Sequence, residues 1–93
     1  MKDHNYYAQE FKDVYNKQTG LKWNDDNYLQ VKGDPSYPIG GFNPIIVVGT
    51  VSDRFPEGTK FRGYTMRVIN GGYELLESSQ WFEDNDGKII SYN

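Results

Sequence analysis

Cysteine is absent from this 93-residue chain, and histidine occurs once, at position 4. No disulfide, thiolate nucleophile or Cys-ligated metal centre can therefore be built from it. A Ser–His or Cys–His couple would have to rest on His4, among terminal residues that commonly fray, so its reading is structural. No catalytic residue, metal or cofactor is expected. Long apolar runs are missing as well, since no window reaches the ~18 consecutive apolar residues of a membrane-spanning helix. The first ten residues are polar rather than a basic segment leading into an apolar one, and membrane insertion is not expected. Without cysteine the redox compartment has no marker, so cytoplasmic and extracytoplasmic settings both stay open.

Positive charge is scarce too. Ten Lys and Arg stand against thirteen Asp and Glu, for a net charge of −3, which argues against broad electrostatic binding to nucleic acid. The distribution is uneven along the chain. Residues 53–71 hold four basic side chains (Arg54, Lys60, Arg62, Arg67) against two acidic ones (Asp53, Glu57), whereas residues 72–93 hold five acids and one lysine. Neighbouring segments of opposite sign suit pairing with each other.

What the chain does have is aromatic area. Hydrophobic residues amount to only 37%, but eight Tyr, five Phe and two Trp raise the apolar surface that each core position carries. Ninety-three residues fit a single domain with one core.

Apolar side chains at Tyr7, Phe11, Val14 and Tyr15 fall on one helical face and predict a helix over 5–19. Asp3 or Asn5 suits its start, and Gly20 followed by Leu21 suits a left-handed cap at its end. A polar turn over 23–27 leads to a short strand at 28–32, with Leu29 and Val31 on one side. Residues 33–44 contain three Pro and three Gly and read as an ordered surface loop, tacked down by Tyr37 and Phe42. The apolar run 45–51 predicts a central strand buried on both faces, and Pro56 and Gly58 punctuate the turn that follows.

Asn70-Gly71 between two alternating segments is the strongest short hairpin signal in the chain, and predicts pairing of 60–69 with 73–82. A two-residue turn there sets Val68 against Tyr73, Met66 against Leu75 and Tyr64 against Glu77 on the core face, with Arg67 against Glu74 outside. Asp86-Gly87 predicts a second hairpin, with residues 88–92 as the last strand. The expected fold is thus α+β: an N-terminal helix packed on a sheet of four or five antiparallel strands. This arrangement resembles cystatin-like folds in topology alone, for no cystatin motif is intact; another small α+β sheet with a different strand order is the alternative.

The chemical motifs are weak. Glu83, Asp84 and Asp86 before Gly87 suggest a calcium loop, but Phe82 and Asn93 occupy the positions where an EF-hand needs its first and last ligands. Asp25-Asp26 and Glu74 with Glu77 read as solvated carboxylates, Glu77 being of interest through its predicted core-face position. Gly40-Gly41 lacks the Lys, Ser or Thr of a phosphate cradle. Lys60, Phe61, Arg62 and Tyr64 interleave bases and rings as in single-strand-binding platforms, yet acids on the adjoining strand favour cross-strand pairing.

With the predicted register, Phe61, Ile69, Leu76, Phe82 and Ile89 point away from the helix and expose more apolar area than a monomer usually shows. A covering loop or a second copy of the chain is the other fate of such a face. The expected function is non-enzymatic binding of a protein partner, stoichiometric, as in bacterial or phage inhibitors, immunity factors and accessory proteins. Tyr37 and Phe42 in the loop, with Phe61, Arg67, Leu76 and Phe82 on the outer face, are the candidate contact residues, because aromatics and Arg anchor interfaces. The alternative is a secreted or lipoprotein-type module whose Trp23, Tyr28 and Trp81 contact carbohydrate or cell-wall polymer. An enzyme using Asp, Glu and Tyr alone would need a concave pocket around Glu77 or the Asp25, Asp26 pair.

Overall fold

A computed structural model describes residues 3–33, 45–68 and 72–91, with the side chains of residues 67 and 68 outside that description. One helix, α1 (His4–Thr19), is followed by β1 (Leu29–Lys32), β2 (Ile46–Thr50), β3 (Lys60–Val68), β4 (Gly72–Glu83) and β5 (Ile89–Ile90). The strands form an antiparallel meander in the order β1-β2-β3-β4-β5, and α1 lies on one side of it. The α+β class expected from the sequence is what the chain adopts. The reading of 33–44 as a loop, with Tyr37 and Phe42 as its tacks, falls mostly outside the described residues.

α1 begins where predicted. The Asp3 carboxylate accepts from the Tyr6 backbone N–H at 2.9 Å, satisfying one of the orphan donors of the first turn. At the other end Gly20 adopts φ 71° and returns its N–H to the Asn16 carbonyl, a conformation that a side chain would oppose. Tyr7, Phe11 and Tyr15 are the buried stripe.

Those rings meet the sheet at Phe61 and Phe82, which are cross-strand neighbours on β3 and β4 with ring centroids 4.6 Å apart. Phe11 lies 5.1 Å and Tyr15 5.5 Å from Phe61, and Trp23 closes the cluster at 5.0 Å from Tyr15. Trp23 reaches this position because β2 has a glycine beneath it. A Cβ on Gly49 would stand 2.4 Å from the Trp23 ring. Val47, Val51, Ile45 and Leu75 complete the core around the rings.

Three expectations are corrected here. First, β2 is not central and not buried on both faces: it is second in the sheet, with Val47 fully buried and Ile46 44% exposed. A lone helix covers one face only, so an apolar run need not mean two-sided burial. Second, the β3–β4 register is one residue away from prediction. Val68 pairs with Gly72, Arg67 with Tyr73 and Met66 with Glu74, so three residues rather than two separate the paired ends. Since strand side chains alternate with a period of two, this slip turns the β3 side chains over relative to prediction, while Leu75 on β4 keeps its core-facing position. Third, Phe61 and Phe82 face the helix at 0% and 7% exposure, Phe61 through this slip and Phe82 through a bulge on β4, while Tyr64 and Met66 face outwards at 37% and 38%.

A bulge then resets the alternation on β4. From Gly63 to Thr65 β3 advances two residues, while from Gln80 back to Leu75 β4 covers five. The excess is odd, so the helix-facing row passes from Leu75 to Gln80 and Phe82, and Trp81 is turned outwards. Ser79 holds the bulge together: its hydroxyl accepts from the Leu76 N–H at 3.0 Å and lies 2.9 Å from the Leu76 carbonyl. In the last hairpin the Asp84 carboxylate accepts from the backbone N–H of both Asp86 and Lys88, with Gly87 at φ 81°. That is a three-residue hairpin loop closed by a left-handed glycine.

The turn between α1 and β1 is tied to the turn after β2. Asn24 and Asn27 each donate a side-chain N–H at 3.0 Å to Asp53, whose carboxyl is held below its ordinary value of 3.8 chiefly by the Asn24 bond, with further help from Asn27 and Arg54.

Two predictions follow from this packing. Phe61→Ala lowers the unfolding free energy by about 3–5 kcal/mol, whereas Met66→Ala changes it by less than about 1 kcal/mol; urea titrations read both values. Asp53 contributes stability that is complete above the ordinary carboxylate value and declines as pH falls through its lowered folded value. Asp53→Ala therefore loses stability at neutral pH and shows a shallower acid limb below about pH 4, measured by thermal melts across pH.

Candidate binding face

No element among the described residues packs on the side of the sheet opposite α1. Cross-strand register sets the outward rows: Gln30, Val48, Arg62 and Trp81 lie in line, with Ile46 beside Tyr64 in the next row. Tyr64 and Trp81 meet edge to face, their centroids 5.7 Å apart at 65°. Ile46, Tyr64 and Met66 are all exposed large apolar residues. Together they form an apolar strip on a surface that would ordinarily be polar.

A shallow cleft of ≈ 270 Å³ opens within this strip, lined by Ile46, Arg62, Gly63, Tyr64, Trp81 and Glu83. Its charged groups are committed to each other. Arg62 Nε donates to Glu83 Oε2 at 2.6 Å, and the Trp81 indole N–H donates to Glu83 Oε1 at 3.2 Å. The short charge-assisted contact holds the guanidinium against the carboxylate, and the carboxylate in turn orients the indole. What the cleft presents to a visitor is therefore mainly ring edges and aliphatic surface, with both oxygens of the Glu83 carboxylate already engaged.

A second groove of ≈ 240 Å³ runs between the end of α1 and β4, lined by Gln18, Thr19, Gln80, Trp81, Phe82, Ile90 and Ser91. It contains no carboxylate. The acids singled out from the sequence lie elsewhere. Glu77 is not on the core face; it sits on the bulge and pairs with Lys17 at 2.8 Å. Asp25 is exposed and lies 3.7 Å from Lys12. Among the described residues no group of three or more potential metal ligands comes together, and Asp84 is engaged in its hairpin turn. No helix among them is long and apolar enough to cross a membrane.

Of the six residues proposed as contacts, Phe61 and Phe82 are core, since the register slip and the bulge both turn them inwards. Leu76 is half-buried in the bulge, Arg67 pairs with Tyr73 in the ladder with its side chain outside the description, and Tyr37 and Phe42 lie outside the described residues. The trio named for carbohydrate is also dispersed: Trp23 is 4% exposed in the core, Tyr28 is 58% exposed at the β1 edge of the sheet, and Trp81 lies on β4 beside the cleft. Sequence reasoning missed Ile46, Tyr64 and Met66 as surface residues. The alternation of Lys60, Arg62 and Tyr64 with Phe61 carried the signal, because basic residues every second position mark the wet side of a strand.

No protein-family model, curated protein or solved structure matches this chain. The helix-on-sheet architecture does not by itself establish a cystatin-like relationship.

The cleft's internal bonding is measurable. A double-mutant cycle of Arg62→Met and Glu83→Gln, read by urea unfolding, gives a coupling of about 0.5–1 kcal/mol for this partly exposed pair. A coupling near zero would mean that the two side chains do not hold each other in solution.

Proposed function

We propose that this chain is a non-enzymatic protein-binding domain that acts stoichiometrically through the open face of its sheet. Inhibitors, immunity factors and accessory proteins of bacteria and phages are the kind of molecule meant. The supporting observation is the strip of exposed Ile46, Tyr64 and Met66 with half-buried Trp81, around a cleft whose charged groups are bonded to one another. Such a cleft favours an apolar side chain from a partner, inserted between rings, over a ligand that needs free hydrogen-bonding groups.

The same rings supply the one argument for carbohydrate or cell-wall polymer, because sugars stack on exposed indoles. Against it stand the Trp81 N–H, which is spent on Glu83, and the position of Trp23 in the core.

The test is co-purification from the native host with wild-type and Trp81→Ala protein, alongside a glycan array. The expected result is a stoichiometric protein partner retained by wild-type and weakened at least about 30-fold by Trp81→Ala, as for a central interface anchor. Binding to glycans with no protein retained would overturn the proposal.

A further inference from the structure

The two edges of the sheet are treated differently. Along β4, beyond the short β5, the Tyr73 carbonyl accepts the Tyr7 hydroxyl at 3.0 Å and the Glu77 carbonyl accepts the Gln18 side chain at 3.1 Å, next to the bulge. Helix side chains and an irregular backbone thus block that edge against a new strand.

β1 is open. The Thr50 N–H donates to the Tyr28 carbonyl at 2.9 Å, which makes Tyr28 and Thr50 a bonded pair. Alternation along an antiparallel ladder then directs the backbone groups of Gln30 and Lys32 towards Val48 and Ile46, and those of Leu29 and Val31 away from the sheet. No described residue bonds these two N–H and two C=O groups. His4 caps the next outward carbonyl, that of Gly33, and so ends the open stretch.

We infer that β1 pairs with β1 of a second copy of this chain, antiparallel about a two-fold axis at Gln30, joining two five-stranded sheets into one. This register uses all four of these groups, with Leu29 bonded to Val31 of the second copy and the reverse. Registers centred on Leu29 or Val31 leave one of the two residues without its full complement. The side chains agree. On the helix side Leu29 meets Val31, extending both cores; on the outer side Gln30 meets Gln30, and Tyr28 meets Lys32 twice.

A lysine on an edge strand usually deters pairing by meeting its own like. Here Lys32 lies opposite Tyr28, which is 58% exposed, and the ammonium gains a ring in place of a second ammonium. The contact is isologous, so it closes at two copies instead of propagating. Two strands of four residues bury much less than the roughly 1,200 Å² of a tight complex, which puts the dissociation constant at roughly 0.1–1 mM.

Sedimentation equilibrium from about 0.01 to about 2 mM tests this directly. The expected result is a mass that rises from monomer towards dimer. Val31→Pro removes an outward N–H while leaving the bonds to β2 in place, and weakens the dimer at least tenfold with an unchanged near-ultraviolet circular dichroism spectrum. Lys32→Glu, at an exposed position, weakens it about tenfold and serves where the proline variant fails to fold. Trp81→Ala leaves self-association intact, so this inference and the binding role of the open face fail separately. A monomer at every concentration overturns the inference, as does a dimer that ignores Lys32→Glu or is lost in Trp81→Ala.

Discussion

One seam of aromatic rings holds this chain together. Phe11 and Tyr15 from α1 interleave with Phe61 and Phe82 from the sheet, and Trp23 fills the space above Gly49. Rings offset or edge-on at these separations add to the area they bury, and no second apolar layer of comparable size exists among the described residues. Everything else in the fold follows from the need to present those four rings to each other.

The constraint falls hardest on β4. Phe82 must face the helix, and so must Leu75, yet they are seven positions apart and regular alternation would put them on opposite sides. The bulge held by Ser79 resolves this by inserting an odd number of residues between them. Its second effect is to turn Trp81 outwards beside Tyr64, where Glu83 can bond it. The binding face is thus a by-product of the core: the device that seals one side arranges the rings on the other.

The sequence made the helix legible down to its caps, because the Tyr7, Phe11, Tyr15 spacing and Gly20 are local signals. Strand existence was equally legible, since β-branched and aromatic runs between Gly and Pro clusters mark it. Facing was not. Asn70-Gly71 supports connections of two or three residues with similar local chemistry, and a choice between them inverts Phe61, Tyr64 and Met66 together. Nothing in residues 76–79 announces a bulge either, because its closure rests on a serine hydroxyl and on helix residues far away in sequence. For those two reasons Phe61 and Phe82 were read on the correct strands but on the wrong side of them.

The two tryptophans report on the two sides separately, which makes their solvent access the most direct measurement of a sheet sealed on one face only. In Trp23→Phe protein the remaining indole, Trp81, is quenched efficiently by acrylamide; in Trp81→Phe protein the remaining indole, Trp23, is quenched several-fold less, near the level of a buried ring. Equal shielding of both indoles in the isolated chain would mean that the outer side is covered as well, and would contradict the account.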